Sequence, residues 1–215
     1  MFKLSTIQKK QIVGITGVAL VGFILAHLSG NFLIYKGAQA YNDYAQFLHD
    51  LGPLLWVARL GLLAAFILHM GFTMNLAYLN KKARKERYYK YQNHTNESSL
   101  ATRLMPLSGS IIFVYLIFHL LDFSLADKVG LIDGIDYGLY GLVVNTLGDP
   151  IHAILYIIAM ASLGLHMYHA FQSVFQTFGI MSDTNQQKLV NASKALGVLI
   201  TLAYSSIPIY ILVNF

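Results

Sequence analysis

Four histidines lie deep inside long apolar stretches of this 215-residue chain: His27, His69, His119 and His166. An ionisable side chain at such a depth is costly and usually functional. At about 1.5 Å of helical rise per residue, His27 and His119 lie roughly 25 Å from Lys10 and Arg103 at one flank of their stretches. His69 and His166 lie roughly 18–20 Å from Lys81 and Gly179 at the corresponding flank of theirs. The histidines therefore match in depth as two pairs. Paired imidazoles from facing helices suit the two axial positions of haem b iron, in a site that transfers electrons.

Small residues and hydrogen-bond partners are expected around such a cofactor. Four glycines lie within five residues of a candidate ligand, and we expect them to let a porphyrin approach the backbone: Gly22, Gly30, Gly71 and Gly164. The second nitrogen of each ligating imidazole also needs a partner. We expect the carbonyl four residues earlier in the helix to supply it, on Phe23, Ala65, Tyr115 and Ser162.

The elements that must position these histidines are membrane spans. The chain is 56% hydrophobic and 12% charged, whereas soluble domains are about 45–50% apolar and about 25% charged. An ordinary soluble protein is therefore excluded. A bilayer core about 30 Å thick needs about 20 apolar residues per helix. We predict an all-α integral membrane bundle of five transmembrane helices in one domain, residues 1–215, with spans at 11–35, 53–80, 104–126, 148–179 and 190–214.

The distribution of basic residues predicts how the bundle is oriented. Twelve of the 15 lysines and arginines precede the first span or lie in the connections that follow the second and fourth spans. Because such residues are enriched in cytoplasmic connections, we expect a cytoplasmic N-terminus and an outside C-terminus. The basic segment at 81–90 follows the same bias and is compatible with a docking surface. The net charge of +5 is thus explained by the orientation of the chain in the membrane, and we expect no nucleic-acid partner.

The absence of cysteine limits the chemistry further. Without thiolates the chain cannot hold an iron–sulfur cluster, and it cannot carry haem through a C-x-x-C-H motif. Any redox role of this chain must rest on histidine.

Several motifs occur together along the chain: HLSGN from position 27, LHDLGPLLW from position 48, and HMYH from position 166. In combination with Gln8-Lys9-Lys10, Thr16-Gly17 and Gly179, they resemble the membrane cytochrome b subunit of succinate dehydrogenase and fumarate reductase. The likeness is to the branch with one five-helix anchor polypeptide and two haems, and it covers nearly the whole chain. One departure is Gly164, where some fumarate-reducing members carry a glutamate.

The resemblance implies two haem b groups with assigned ligands. His27 and His119 would hold the haem nearer the outer face, and His69 and His166 the haem nearer the cytoplasm. His169 is the alternative ligand on the fourth span, and otherwise we expect it near a propionate or the quinone. We expect Arg59, near the outer end of its helix, to be a counter-ion for a propionate of the outer haem.

The resemblance also implies a quinone, menaquinone or ubiquinone, as substrate. We favour a quinone site around the start of the second span, formed by Asp43, His49, Asp50 and Trp56; the inner alternative is Arg103 with the nearby basic loop. Trp56 is also consistent with a place in the aromatic belt at the membrane interface.

The expected partners are a flavoprotein and an iron–sulfur subunit on the cytoplasmic face of a bacterial inner membrane. That assembly would be the succinate dehydrogenase or fumarate reductase of the respiratory chain and the tricarboxylic acid cycle, in contact with membrane lipid. Two alternatives stay open. One is a cytochrome b anchor of another quinone-linked dehydrogenase, and the other is a haem-free transporter or scaffold.

Overall fold

The computed structural model describes residues 4–83 and 98–215. That part of the chain contains seven α-helices: α1 (Thr6–Asn31), α2 (Ala38–Asp50), α3 (Pro53–Ala83), α4 (Ser98–His119), α5 (Gly138–Gly148), α6 (Pro150–Thr177) and α7 (Gln186–Asn214). An antiparallel hairpin of β1 (Leu131–Ile132) and β2 (Ile135–Asp136) lies between α4 and α5. A short 3-10 helix continues α1 to Lys36, and one π-helical turn continues α4 to Ser124.

Five of these helices are long and apolar enough to cross a membrane: α1 with its extension, α3, α4 from Leu104 with its π-helical turn, α6 and α7. They are 21 to 31 residues long. The all-α fold with five spans is therefore confirmed, and the predicted bounds are within five residues of those observed. Large apolar side chains such as Leu199, which is 62% exposed, cover the outside of the bundle, as expected where lipid is the solvent.

The connections at one end of the bundle form a cap that the hydropathy pattern does not predict. There α2 links α1 to α3, and the hairpin with α5 links α4 to α6. Asn42 joins the two connections, because its amide group donates to the Tyr137 carbonyl at 2.8 Å and accepts from the Tyr140 N–H at 3.0 Å. The Tyr140 ring also packs against Phe215 at the end of α7. We call this end of the bundle the cap end and the opposite end the loop end.

The cap encloses a small core of its own. Ile34 is fully buried, and Tyr41 packs beside it against apolar residues of α5, α6 and α7. Burial raises the pKa of Tyr41 to about 12, so the phenol stays protonated and donates to Asn31 Oδ1 at 3.0 Å. The backbone turns sharply before and after α2 at two glycines with positive φ, Gly37 and Gly52.

Local signals set where two of the spans begin. Ser5 and Gln8 form a reciprocal capping box at the start of α1. Asp149 caps α6, where it accepts the His152 N–H at 3.2 Å and lies 2.6 Å from His152 Nδ1. These contacts with His152 hold the pKa of the Asp149 carboxyl below its usual range.

Contacts at the loop end show that the spans alternate in direction. Lys9 near the start of α1 donates to Asn75 Oδ1, in the last third of α3, at 2.8 Å. Gly14 of α1 lies against the ring of Phe178, which directly follows α6. The starts of α1 and α7 and the ends of α3 and α6 therefore share the loop end.

Candidate functional site

His27 and His119 face each other near the cap end. His27 lies four residues before the end of α1, and His119 is the last residue of α4. Their ring centroids are 5.8 Å apart and their planes are nearly perpendicular, at 89°. The two rings are therefore close neighbours across the contact between α1 and α4.

Aromatic rings surround this cap-side pair. Phe23 stacks on His27 with centroids 5.3 Å apart, and Tyr115 stacks on His119 at 5.5 Å. Tyr204 lies 6.5 Å from His27, and its hydroxyl donates to the Ile24 carbonyl at 2.7 Å. The pair thus lies in an apolar environment of the kind that keeps water from a buried cofactor.

A carboxyl group lies one turn beyond His119. The π-helical turn at the end of α4 carries Asp122, which accepts a hydrogen bond from Tyr156 at 2.8 Å. The Tyr156 ring is 6.2 Å from His119. Asp122 lies near the end of its span, two residues before Ser124. π-Helical turns are rare and often occur at functional sites.

The partners of His69 fix which of its ring nitrogens carries the proton. His69 Nδ1 lies 3.2 Å from the Val13 carbonyl and 3.3 Å from the Thr16 hydroxyl, both on α1. The Thr16 hydroxyl donates to the Ile12 carbonyl at 2.7 Å, so it accepts from the imidazole. With two acceptors facing Nδ1, the hydrogen sits on Nδ1, and the lone pair on Nε2 is left for a ligand.

His166 shows the same arrangement on the other side of the bundle. Its Nδ1 lies 3.2 Å from the Ser108 hydroxyl of α4, which donates to the Met105 carbonyl at 3.1 Å. His69 and His166 each follow the first residue of their helix by sixteen positions. We call them the loop-side pair.

The hydrogen-bond partners differ from those predicted. We expected carbonyls of the same helix, on Ala65 for His69 and on Ser162 for His166, and instead a neighbouring helix supplies the partner in both cases. For His119 the contact is the Tyr115 hydroxyl at 3.4 Å. The His69 and His166 rings thus point toward groups of the helix packed beside them, a hydroxyl in both cases and a carbonyl as well for His69.

A repeated spacing links the two pairs and was missed in the sequence. Thr16 precedes His27 by eleven residues, and Ser108 precedes His119 by eleven residues. Eleven residues are about three helical turns, so each hydroxyl and its histidine share one helix face about 16 Å apart. A glycine follows each hydroxyl and lies against a ring: a Cβ at Gly17 would be 3.3 Å from His69, and one at Gly109 would be 3.5 Å from His166.

Helix packing separates the partners of each pair. The extensively packed neighbours are α1 with α3, α4 with α6, and α6 with α7. The candidate pairs instead join α1 to α4 and α3 to α6. Each pair therefore bridges two groups of closely packed helices, α1 with α3 and α4 with α6 and α7. Phe66 of α3 and Phe113 of α4 also meet across this boundary, with centroids 6.3 Å apart.

Two of the four glycines expected near a porphyrin serve helix packing instead. A Cβ at Gly164 would lie 2.4 Å from the Gly197 carbonyl oxygen of α7, and one at Gly30 would lie 2.4 Å from the ring of Tyr44. Gly22 and Gly71 have open space, with no atom within 4 Å of an added Cβ. The prediction that Gly164 admits a porphyrin is therefore wrong, because α7 occupies that side of α6.

We expect Gly164→Val to destabilise the bundle. Its side chain would overlap Thr201 Oγ1 and the Gly197 backbone, and overpacking of this kind costs about 1–3 kcal/mol or more. The matched control is Gly61→Val, since a Cβ at Gly61 of α3 meets nothing within 4 Å. Thermal unfolding in detergent should show a lower Tm for Gly164→Val alone. Equal Tm values for the two variants would contradict the close approach of α6 and α7.

Among the residues predicted to bind a propionate or a quinone, the contact that the structure shows is between Arg59 and Trp56. Arg59 lies over the Trp56 ring, 5.1 Å from its centroid, and both side chains are exposed. Arg59 also lies near Lys128, where burial and the arginine charge lower the lysine pKa. The two cations form a basic position at the cap end, one that suits an anionic group.

The remaining candidates for the quinone site lie on α2. Asp43, His49 and Asp50 are exposed, and Asp50 accepts a hydrogen bond from Gln46 at 2.7 Å. Among the described residues no hydrogen bond joins these three side chains to Trp56 or Arg59. Their role in quinone binding stays a prediction.

The structure describes the side chain of the alternative ligand, His169, but not those of Arg103 and most of the basic loop, the inner alternative for the quinone site. His169 is 7% exposed and, within the described ranges, its Nε2 atom has no hydrogen-bond partner. His166 differs in having the Ser108 hydroxyl at its Nδ1, and the choice between the two histidines as ligand stays a prediction. The side chain of Arg103 and positions 84–90 of the basic loop lie outside the described residues.

The arrangement of possible metal ligands is limited to pairs. In residues 4–83 and 98–215, no three histidine, aspartate or glutamate side chains form a group that could hold a metal ion. A haem iron takes its other ligands from the porphyrin ring, so it needs only two protein ligands.

Comparison of the chain with protein-family models, curated proteins and solved structures finds no match.

Proposed function

We propose that this chain is the di-haem b membrane anchor of a succinate:quinone oxidoreductase and passes electrons between an iron–sulfur subunit and membrane quinone. The observation that supports this most directly is that four half-buried histidines lie at two levels of a five-span bundle, with the rings of His27 and His119 5.8 Å apart. At the loop-side level, hydrogen bonds leave both Nε2 atoms free to bind. Resemblance to the cytochrome b subunit of succinate dehydrogenase and fumarate reductase supplies the assignment to that complex.

The residues present fit two haem groups. His27 and His119 would hold one, and His69 and His166 the other. Haem b held by these residues would supply one-electron transfer. Around it, the chain orients the imidazoles through Thr16 and Ser108 and surrounds the cap-side pair with aromatic rings. Arg59 and Lys128 would balance the negative charge of propionates at the cap end.

The direction of the chain in the membrane belongs to the same proposal. The loop end carries six basic residues of the described part, Lys9, Lys10, Lys81, Lys82, Lys188 and Lys194, whereas the cap end carries Lys36, Arg59 and Lys128. Because the positive-inside bias favours the loop end as cytoplasmic, the flavoprotein and iron–sulfur subunits would dock there. The cap would face outside the cytoplasmic membrane of a bacterium.

The quinone site would lie at the cap end. Quinone reduction takes up two protons with two electrons, so its site needs contact with water as well as with a haem. The exposed carboxylates of α2, Asp43 and Asp50, meet the first need, and the start of α3 with Trp56 and Arg59 borders the bilayer. We assign these residues to quinone binding, with menaquinone or ubiquinone as the substrate.

Absorbance of the purified protein tests this proposal. A reduced-minus-oxidised spectrum should show b-type bands from two haems per chain, and a flavoprotein that supports succinate-dependent dye reduction should co-purify. The absence of b-type bands from protein purified after expression with adequate haem would overturn the redox function. Two haems with a different co-purifying dehydrogenase would keep the cytochrome and overturn the succinate assignment.

A further inference from the structure

A groove on the membrane-facing side of α3 has a polar end and an apolar end. It has a volume of about 360 Å³ and lies between the start of α1 and the second half of α3. Its lining is Lys9, Ile67, Leu68, Gly71, Phe72 and Asn75. The polar residues Lys9 and Asn75 lie at its loop end.

The residues that line the groove change from polar to apolar along α3, from the loop end toward the centre of the bundle. Asn75 lies eight residues before the end of α3, and Ile67 lies eight residues further toward the centre. At about 1.5 Å of rise per residue, the groove runs about 12 Å along the helix. The exposed side chains of Ile67 and Leu68, 56% and 45% accessible, form the deep part. An occupant therefore needs a polar head at the interface and an apolar chain below it.

Charge indicates the sign of that head. The segments 4–20 and 67–83 contain four lysines, Lys9, Lys10, Lys81 and Lys82, and no acidic residue. The Lys9 ammonium is half-buried and oriented by its 2.8 Å hydrogen bond to Asn75. An ammonium has three N–H donors, and within the part of the chain that the structure describes Asn75 takes one. A phosphate oxygen is a strong acceptor for the others.

Gly71 keeps the groove open. An added Cβ at this position would meet no atom within 4 Å, so the glycine is not required for contact between helices. Its missing side chain leaves room for an acyl chain between Ile67 and Phe72.

From these contacts we propose that the groove binds an anionic phospholipid, with its phosphate on Lys9 and Asn75 and one acyl chain along Ile67, Gly71 and Phe72. A quinone head is uncharged and would make no use of the surplus of lysines. The proposal does not depend on haem or on a succinate-linked function.

Native mass spectrometry of the full chain in neutral detergent tests this site, with phosphatidylglycerol and phosphatidylcholine of equal chain length as probes. In this detergent no anionic surface attracts lysines in general. We expect one phosphatidylglycerol to bind more tightly than phosphatidylcholine, and Lys9→Gln to weaken it about five- to tenfold. Gly71→Leu should weaken both lipids by filling the groove.

Matched controls separate the site from general effects. Lys10→Gln removes the neighbouring exposed lysine, and Gly61→Leu adds the same side chain to an open position ten residues earlier in α3. Both should stay within twofold of the unmodified chain. Equal losses in Lys9→Gln and Lys10→Gln, equal binding of the two lipids, or retention of a quinone that phosphatidylglycerol does not displace would each overturn the proposal.

Discussion

A His119→Leu variant is expected to bind one haem b per chain instead of two. His119 faces His27 with ring centroids 5.8 Å apart, and its loss would leave a haem at the cap-side pair with a single protein ligand. The loop-side pair has its own hydrogen bonds on α1 and α4, so its haem should stay. The haem content per chain and a redox titration measure the change, in which one of two potentials should disappear.

Two further variants make that test specific. His69→Leu should remove the other potential and keep the one that His119→Leu loses. His152→Leu serves as the control, because this histidine is exposed at the start of α6 and should leave both haems in place. Retention of two haems in His119→Leu would refute the pairing, as would the loss of the same potential in His119→Leu and His69→Leu.

A Ser108→Ala variant is expected to weaken haem binding at the loop-side pair about 10- to 100-fold, the range found when an outer partner of a metal-bound histidine is removed. Ser108 is the hydroxyl at His166 Nδ1, and without it the ring loses both its orientation and its fixed tautomer. Thr16→Val should have a smaller effect, since the Val13 carbonyl still accepts from His69 Nδ1. The rate of haem transfer to an acceptor protein and the potential of the loop-side haem report the change.

The controls for this prediction are hydroxyls of the same type that do not touch a ring. Ser110 donates to the Pro106 carbonyl and Thr73 to the carbonyl of His69, so Ser110→Ala and Thr73→Val should bind haem like the unmodified chain. Ser108→Thr keeps a hydroxyl and should restore much of the affinity. If Ser108→Ala and Ser110→Ala behave alike, the hydrogen bond to His166 has no role in holding haem.

The spans could be predicted from the sequence because their signal is a sum over many residues. Twenty or more apolar side chains define each helix, and an error of a few residues at an end changes little. The cap could not be predicted in this way. Helix α5 is apolar but only 11 residues long, too short to span, and it is stabilised by Tyr140 and Val144 packing onto distant parts of the chain.

The residues of the candidate site also differ in how far they could be predicted from the sequence. The depths of His27 and His119 follow from counting residues, and the structure brings their rings together. The partners of His69 and His166 depend on which helix faces which, and that is set by contacts such as Gly164 with Gly197. A hydrophobic pattern contains no information about these contacts. The repeated hydroxyl-to-histidine spacing was available in the sequence, because it is a comparison between two helices of the same chain.

That spacing has a consequence for electron transfer between the two levels. Each of α1 and α4 touches the loop-side pair through a hydroxyl and supplies a ligand to the cap-side pair, eleven residues further along. Under the proposed function, the separation of the two levels, about 16 Å along the helix, would therefore be set by backbone hydrogen bonds within single helices. Sliding of either helix along its own axis would carry its contacts at both levels together and leave this separation unchanged.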